Sequence, residues 1–185
     1  MPALERALIR PARRADAEAV ARVHATSWAE SYPPILGAAA SRPDAFARRR
    51  AVWTRRLARP QPGGEVFVAE LAGEIVGFGA CGPQREDDRP WDGEFYCLYL
   101  LGRAHGHGFG RRLMAAMARR MLDWGAQSAD VWALSGAAQA CGFYAALGGR
   151  PDVERAFSLG GRRVMERAFV WPDLGAAPFA TANEV

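Results

Sequence analysis

The chain has 185 residues, half of them apolar, which is enough for one domain with a sizeable core. Its net charge of +4 comes from 24 basic side chains, all arginine, interrupted by 20 acidic ones; no basic stripe interleaved with aromatics appears, so nucleic acid is not an expected partner. No run approaches the roughly 18 apolar residues of a membrane span, and Met1 to Arg14 lacks the apolar stretch of a signal peptide, so a cytoplasmic protein without membrane contact is expected.

Leu8 to Arg10 reads as a short first strand. Asp16 is the expected N-cap of a helix reaching about Tyr32, with Val20, Val23, Ser27 and Ser31 on one face and Trp28 beside it. Pro33 and Pro34 end that helix. A second helix, from about Asp44 to Ala58, carries Phe46, Val52, Trp53 and Leu57; its arginines, Arg48 to Arg50, read as a solvated face, as do Arg111 and Arg112 later. After the loop Pro60 to Gly64 the period changes to that of strands. Val66 to Leu71 and Glu74 to Cys81 flank Ala72-Gly73, a hairpin signal. Gly82 to Gly93 is a polar loop, and Phe95 to Leu101 is an apolar run suited to a central strand buried on both faces. A glycine-rich turn then opens a helix from about Gly110 to Trp124, with Leu113, Met114, Met117 and Met121 at helical spacing. Asp130 to Leu134 is a strand, Ala138 to Leu147 a helix stopped by Gly148-Gly149, and Val153 to Leu159 with Arg163 to Val170 a closing hairpin around Gly160-Gly161. The residues after Pro172 read as a loosely held tail. The order indicates one mixed α/β domain over residues 7–171 and a tail over 172–185.

Cys81, Cys97 and Cys141 are scattered and form no metal spacing with His24, His105 or His107; reduced, buried thiols are expected and no metal.

The segment that asks for a chemical explanation is His105-Gly106-His107-Gly108-Phe109-Gly110-Arg111, between a buried strand and an amphipathic helix. Glycines let the backbone approach a ligand, and the helix start offers unpaired N–H groups and the positive end of its dipole, a combination that suits a pyrophosphate. A tight strand-to-helix connection is the plainer explanation of the same residues. A P-loop is excluded because the chain has no lysine, and the dinucleotide fingerprint fails because Arg111 stands where its third glycine would be.

With this segment the sequence resembles the GNAT superfamily of N-acetyltransferases, whose cofactor signature is Gln/Arg-x-x-Gly-x-Gly/Ala after a central strand. Further matching segments lie in order along the chain: Ile9-Arg10-Pro11-Ala12 to Asp16, Ser27-Trp28 to Tyr32, Gly77-Phe78, Val131 to Leu134, and Ala140, Phe143-Tyr144 and Leu147-Gly148-Gly149. Two positions depart from the pattern: His105 replaces Gln or Arg, and Ala137 stands where many members have asparagine.

The resemblance implies a mostly antiparallel sheet flanked by helices and splayed open at its central strands, with acetyl-CoA in the splay. It implies direct transfer to a primary amine of a small molecule or peptide in a ternary complex, without a cysteine nucleophile. The residues it assigns to the cofactor are Leu98, Tyr99 and Leu100 through their backbone, the turn His105 to Arg111, and Ala137 and Phe143. Tyr144 matches the tyrosine that protonates the departing sulfur, with aromatic packing as its alternative. Glu94, eleven residues before His105, stands where some members carry a general base, with a solvated strand-end carboxylate as its alternative. Trp28, Tyr32 and Trp53 lie in the helices that wall the acceptor site, although core packing explains each of them as well, and His24 reads as a helix-face residue rather than a base. Dimers are common in the family, so a homodimer is among the expectations. The rival reading is an acyl-CoA-binding module without turnover, which His105 and Ala137 favour and Tyr144 and Glu94 oppose.

Overall fold

The computed structural model describes residues 7–37, 43–159 and 161–180. Seven strands form one sheet in the order β1-β2-β3-β4-β5-β7-β6. They are β1 (Ala7–Pro11), β2 (Glu65–Leu71), β3 (Glu74–Pro83), β4 (Gly93–Leu100), β5 (Ala129–Leu134), β6 (Arg150–Leu159) and β7 (Arg162–Trp171). All neighbours are antiparallel except β4 and β5, which run parallel. The helices are α1 (Ala17–Ser31), α2 (Pro33–Leu36), α3 (Ala45–Ala58), α4 (Phe109–Asp123) and α5 (Ala138–Ala146). Among the described residues no helix is long and apolar enough to cross a membrane.

Side-chain alternation along the strands builds a core on each face of the sheet. Phe95, Val131, Phe169 and Trp171 meet Leu113, Met114, Met117 and Met121 of α4 on one face. On the other, Val68 and Phe78 meet Val20 and Ala21 of α1 and Trp53 and Leu57 of α3. A smaller cluster joins Leu36 of α2 to Leu134 and Val164, with Trp28, Tyr32, Ile35 and Ala137 around it, so α2 reaches across from the β4 side to the β5 side.

Four expectations need correction. Asp16 stands at the N-cap position of α1 as expected, but its side chain makes no cap bond: its carboxylate is taken by Arg10, 2.7 and 3.1 Å away, and by the Arg13 amide at 2.6 Å. A guanidinium offers two charged donors in fork geometry, which outcompete a helix amide for the same oxygens. Ser31 is exposed rather than on the buried face of α1. The tail is not loose as far as residue 180. Leu174 and Phe179 have no exposed surface, Phe179 packs edge-on against Phe95 and Trp171, and the Leu174 amide donates to Gln127 at 2.7 Å. Finally, Arg49 is half-buried between α3 and α1 while Arg48 and Arg50 are exposed. Gly160, and the chain ends up to residue 6 and beyond 180, lie outside the described residues.

Candidate active site

The parallel β4–β5 ladder is very short: Gly93 pairs with Ala129 and Glu94 with Asp130, and there it stops. Farther along, β4 keeps β3 as its partner but has none on its other edge among the described residues. One extra residue, Tyr96, is inserted in β4, because Phe95 faces Cys81 and Cys97 faces Ala80. Such a bulge bends and twists a strand, here at the point where β4 leaves β5. The Leu101 amide bonds Val76 on β3. By alternation the peptide groups of Leu98 and Leu100 turn the other way, into the gap. In keeping with this, the Leu100 carbonyl accepts from Ser27 Oγ at 2.8 Å. This gap also explains why Tyr96 to Leu100, apolar enough for a central strand, are only half-buried.

The glycine turn lies at the open end of that gap. His105 Nε2 donates to the Leu100 carbonyl at 3.3 Å, which leaves Nδ1 to accept from the Gln139 amide at 3.2 Å. His105 therefore ties the end of β4 to α5. His107 Nδ1 donates to the His105 carbonyl at 2.7 Å. Gly106 and Gly108 hold φ of +76° and +77°, and nothing lies within 4 Å of where a Cβ would project from either. The first helical bond of α4 runs from the Arg112 amide to the Gly108 carbonyl at 3.1 Å. The amides of Phe109, Gly110 and Arg111 thus have no partner within the helix, as at any helix start. With the dipole of a 15-residue helix behind them they form a site for an anion. Gly110 is needed for a different reason: a Cβ there would come within 3.0 Å of the Phe143 ring, so its absence lets α5 close on α4. Ala137 is the N-cap of α5, and its amide donates to Leu134 at 2.8 Å. Arg111 reaches away from the turn and donates to the Pro178 carbonyl.

Tyr144 is buried against Phe143 and Phe169, with ring centroids 5.3 and 5.9 Å away. Its hydroxyl makes no hydrogen bond to any described residue. Burial pushes the phenol well above the ordinary tyrosine range, and Tyr32, Cys97 and Cys141 lie close enough to add to the effect. Tyr99 feels Tyr32, Cys97 and Tyr144 in the same way. Burial also pushes the Cys97 thiol up to about 11 and Cys81 up to about 12, so neither is a thiolate at neutral pH.

Charged groups close the inner end of the gap. Glu94 is buried, and both of its oxygens accept from the Arg85 guanidinium, one of them from Nε at 2.9 Å. Its strand partner Asp130 is fully buried and accepts from Gln84 at 2.9 Å and from Arg89 at 3.1 Å. Burial pushes Asp130 up to about 6, against the pull of Arg89 and Gln84. Arg89 also pairs with Asp152 at 2.8 Å, so the 84–92 loop is fastened to both halves of the sheet. Asp130, Arg85 and Arg89 were not anticipated. A carboxylate beginning an otherwise apolar strand run was the one available signal, and it pointed only to Asp130.

On the α1–α3 side, His24 stacks on Tyr99 at 4.5 Å and its Nδ1 accepts from Trp53 Nε1 at 3.1 Å. Burial is the main cause that pushes it down to about 3, so it is neutral and a poor base. Trp53 belongs to the core, while Trp28 and Tyr32 are half-buried, with ring centroids 4.4 Å apart. The structure therefore brings Leu98, Tyr99, Leu100, the turn, Phe143 and Tyr144 around one gap, with Glu94 at its inner end.

The model of the acetyltransferase (GNAT) family matches residues 22–148. An uncharacterized N-acetyltransferase of Bacillus subtilis (strain 168), YuaI, is 31% identical over 169 residues, covering 91% of this chain and 94% of that one. Among solved structures, yncA from Salmonella typhimurium, a putative acetyltransferase with its cofactor acetyl-CoA, superposes with a TM-score of 0.69 at 21% identity, covering 94% and 98% of the two chains. The paia N-acetyltransferase of Thermoplasma acidophilum, in complex with coenzyme A, gives a TM-score of 0.64 at 17% identity, covering 87% and 97%. At these identities the structural likeness speaks for the fold.

Proposed function

Because the chain belongs to the GNAT family of acetyltransferases, we propose that it transfers the acetyl group of acetyl-CoA to a primary amine of a small molecule or peptide, by direct attack in a ternary complex. The observation that carries this reading is the continuity of one gap. Backbone groups of β4 with no partner strand lead outward to a helix start with three free amides and two glycines that leave space in front of them.

The residues present fit such a cofactor. The amides of Phe109, Gly110 and Arg111 would take the pyrophosphate, with Gly106 and Gly108 allowing its approach. The Leu98 peptide group and the Leu100 amide, whose own carbonyl is already taken by Ser27 and His105, would meet the pantetheine amides and the thioester carbonyl in the way a sheet edge takes another strand, and an N–H aimed at that oxygen stabilises charge developing on it. When bound, the cofactor supplies an acyl carbon with a thiolate leaving group. His105 acts as a brace between β4 and α5 rather than as a phosphate ligand, and Ala137 leaves the cofactor only the main chain at its position.

Tyr144 keeps its proton at the phenol oxygen, because burial disfavours the phenolate. It is thereby suited to donate toward the sulfur as the thiolate leaves. The amine must lose a proton to attack, and Glu94 is the carboxylate we assign to receive it, through water. Arg85 holds the same oxygens, so Glu94 takes up this role when the pair opens with substrate present. The protonated thiols, and their burial, support direct transfer over a cysteine-bound acyl group. Free cysteines also suit the cytoplasm, where thiols stay reduced.

The test is release of free CoA from acetyl-CoA across a panel of primary amines. Turnover of at least one amine, with the acetylated product identified by mass, supports the enzyme. Tight acetyl-CoA binding with no amine turned over would replace it by a non-catalytic acyl-CoA-binding module.

A further inference from the structure

Arg49 sits on the inner side of α3, half-buried, with its guanidinium carbon 5.1 Å from the centre of the Trp28 ring. Its Nη1 donates a long bond to the Ala45 carbonyl at 3.4 Å. Its Nε is closed off from water and has no hydrogen-bond partner. No carboxylate among the described residues pairs with it. The nearby acids are engaged elsewhere: Asp44 with Arg48, Glu18 with Arg22, and Glu30 with the Gly102 amide at 3.0 Å. A buried, unpaired donor on a charged group is costly, and proteins rarely keep one without a use.

Its position relates it to the gap. Trp28, over which its guanidinium lies, has its ring centre 6.3 Å from that of Tyr99 on β4 and 4.4 Å from that of Tyr32, so Arg49 stands on the α1–α3 side of the gap. The rings beyond it carry no charge, since Trp28, Tyr32 and Tyr99 are neutral aromatics and His24 holds no proton on Nδ1. Burial works against the Arg49 charge as well, an effect that an anionic partner would offset. Because Nη1 is turned to Ala45 and Nε is closed off, Nη2 is the charged donor left to meet a carboxylate oxygen.

We propose that Arg49 is a specificity residue of the acceptor site, binding a carboxylate of the acceptor, so that this enzyme acetylates amines of the amino-acid class in preference to plain alkylamines. The inference rests on the acetyltransferase reading given above and names the substrate class of the same site. The positive charge has a second effect. It disfavours an ammonium beside it, so a bound amino acid gives up its amine proton more readily while its carboxylate is held.

The experiment compares amino acids with their carboxamides, which keep the amine and side chain but lose the charge, by steady-state kinetics of CoA release. Wild-type protein should favour the carboxylate about tenfold to a hundredfold in kcat/KM, mostly through KM, the range expected when a charge-assisted pair is lost. Arg49→Gln should abolish the preference while leaving acetyl-CoA affinity intact, and Arg49→Lys should restore part of it. If Arg49→Gln does not fold, inhibition of the wild-type protein by carboxylates lacking an amine, measured against the matching amides, gives the same discrimination. Equal use of acid and amide by the wild type overturns the proposal but leaves the acetyltransferase standing, as does a preference that survives Arg49→Gln. Turnover of no amine at all overturns both.

Discussion

Tyr144 and Glu94 were both legible as candidates from the family resemblance of the segments around them, but their surroundings were not. Spacing places a side chain along a strand or helix, whereas basicity depends on groups far away in sequence. Tyr144 sits among apolar rings that keep its proton in place. Glu94 is gripped by Arg85, from a loop that offered no pattern to read. The two positions therefore make different predictions. Tyr144→Phe removes one proton donor and nothing else, so kcat should fall by about 100- to 10,000-fold, with acetyl-CoA affinity nearly unchanged. Glu94→Gln should depress the rate most at low pH, where few amines are already neutral. An equal loss at all pH values would make Glu94 an anchor for Arg85 and the 84–92 loop. Arg49 shows the opposite kind of failure. In a row of three arginines on an amphipathic helix the usual reading is a solvated face, and nothing local distinguishes the one that turns inward.

Among the elements, the seven strands and the four longer helices were read correctly in kind and order, because hydrophobic periodicity reports which faces meet the core. The short α2 was missed, since Pro33 and Pro34 read as a helix stop although proline also suits the first turn of a new helix. Boundaries moved by up to three residues where long-range pairing decided them, as at β3, which runs on to Pro83 because Gly93 of β4 lies opposite, and at β6, which starts at Arg150 opposite Val170. The apolar run of β4 suggested a strand covered on both faces, yet its middle is half-exposed, since no pattern within one strand reveals that its neighbour diverges. The tail was misread for a related reason. Its composition is small and polar on average, and average composition conceals two anchors, Leu174 and Phe179, that fill the core beneath β7 and α4. Phe179→Ala should accordingly cost about 3–5 kcal/mol in urea denaturation, the range for a deleted core aromatic. A loose tail would give less than about 0.5 kcal/mol.

For the molecule as a whole, several buried groups are tuned away from their ordinary ionisation, and stability should depend on pH with a sign that follows from them. His24 titrates near 3 in the folded protein and near 6.5 when unfolded. Between those values the unfolded chain binds the extra proton, so stability is lost as pH falls. Asp130 acts in the opposite sense: it holds its proton up to about 6 when folded against 3.8 when unfolded, so its contribution is lost as pH rises through that window. Below about 4 the carboxylates of Asp16 and Glu86, held low by Arg10 and Arg155, add to the loss in acid. His24→Gln keeps an acceptor for Trp53 and removes one titration. Urea midpoints between pH 6.5 and 4 should then change with a slope smaller by up to about 1.4 kcal/mol per pH unit than in the wild type. An unchanged slope would mean that His24 is not buried as a neutral ring.

The central claim is that the gap beside β4, opening at the glycine turn, is the acetyl-CoA site. Calorimetric titration of acetyl-CoA into the wild type and into Gly108→Val tests it most directly. Valine at a φ of +77° is strained and projects into the space in front of the free amides. Gly73→Val, at a φ of +84° in the distant β2–β3 hairpin and equally open, controls for strain alone. One bound acetyl-CoA per chain is expected for the wild type and for Gly73→Val, and binding weakened by about tenfold or more for Gly108→Val. Equal affinity in all three proteins would contradict it.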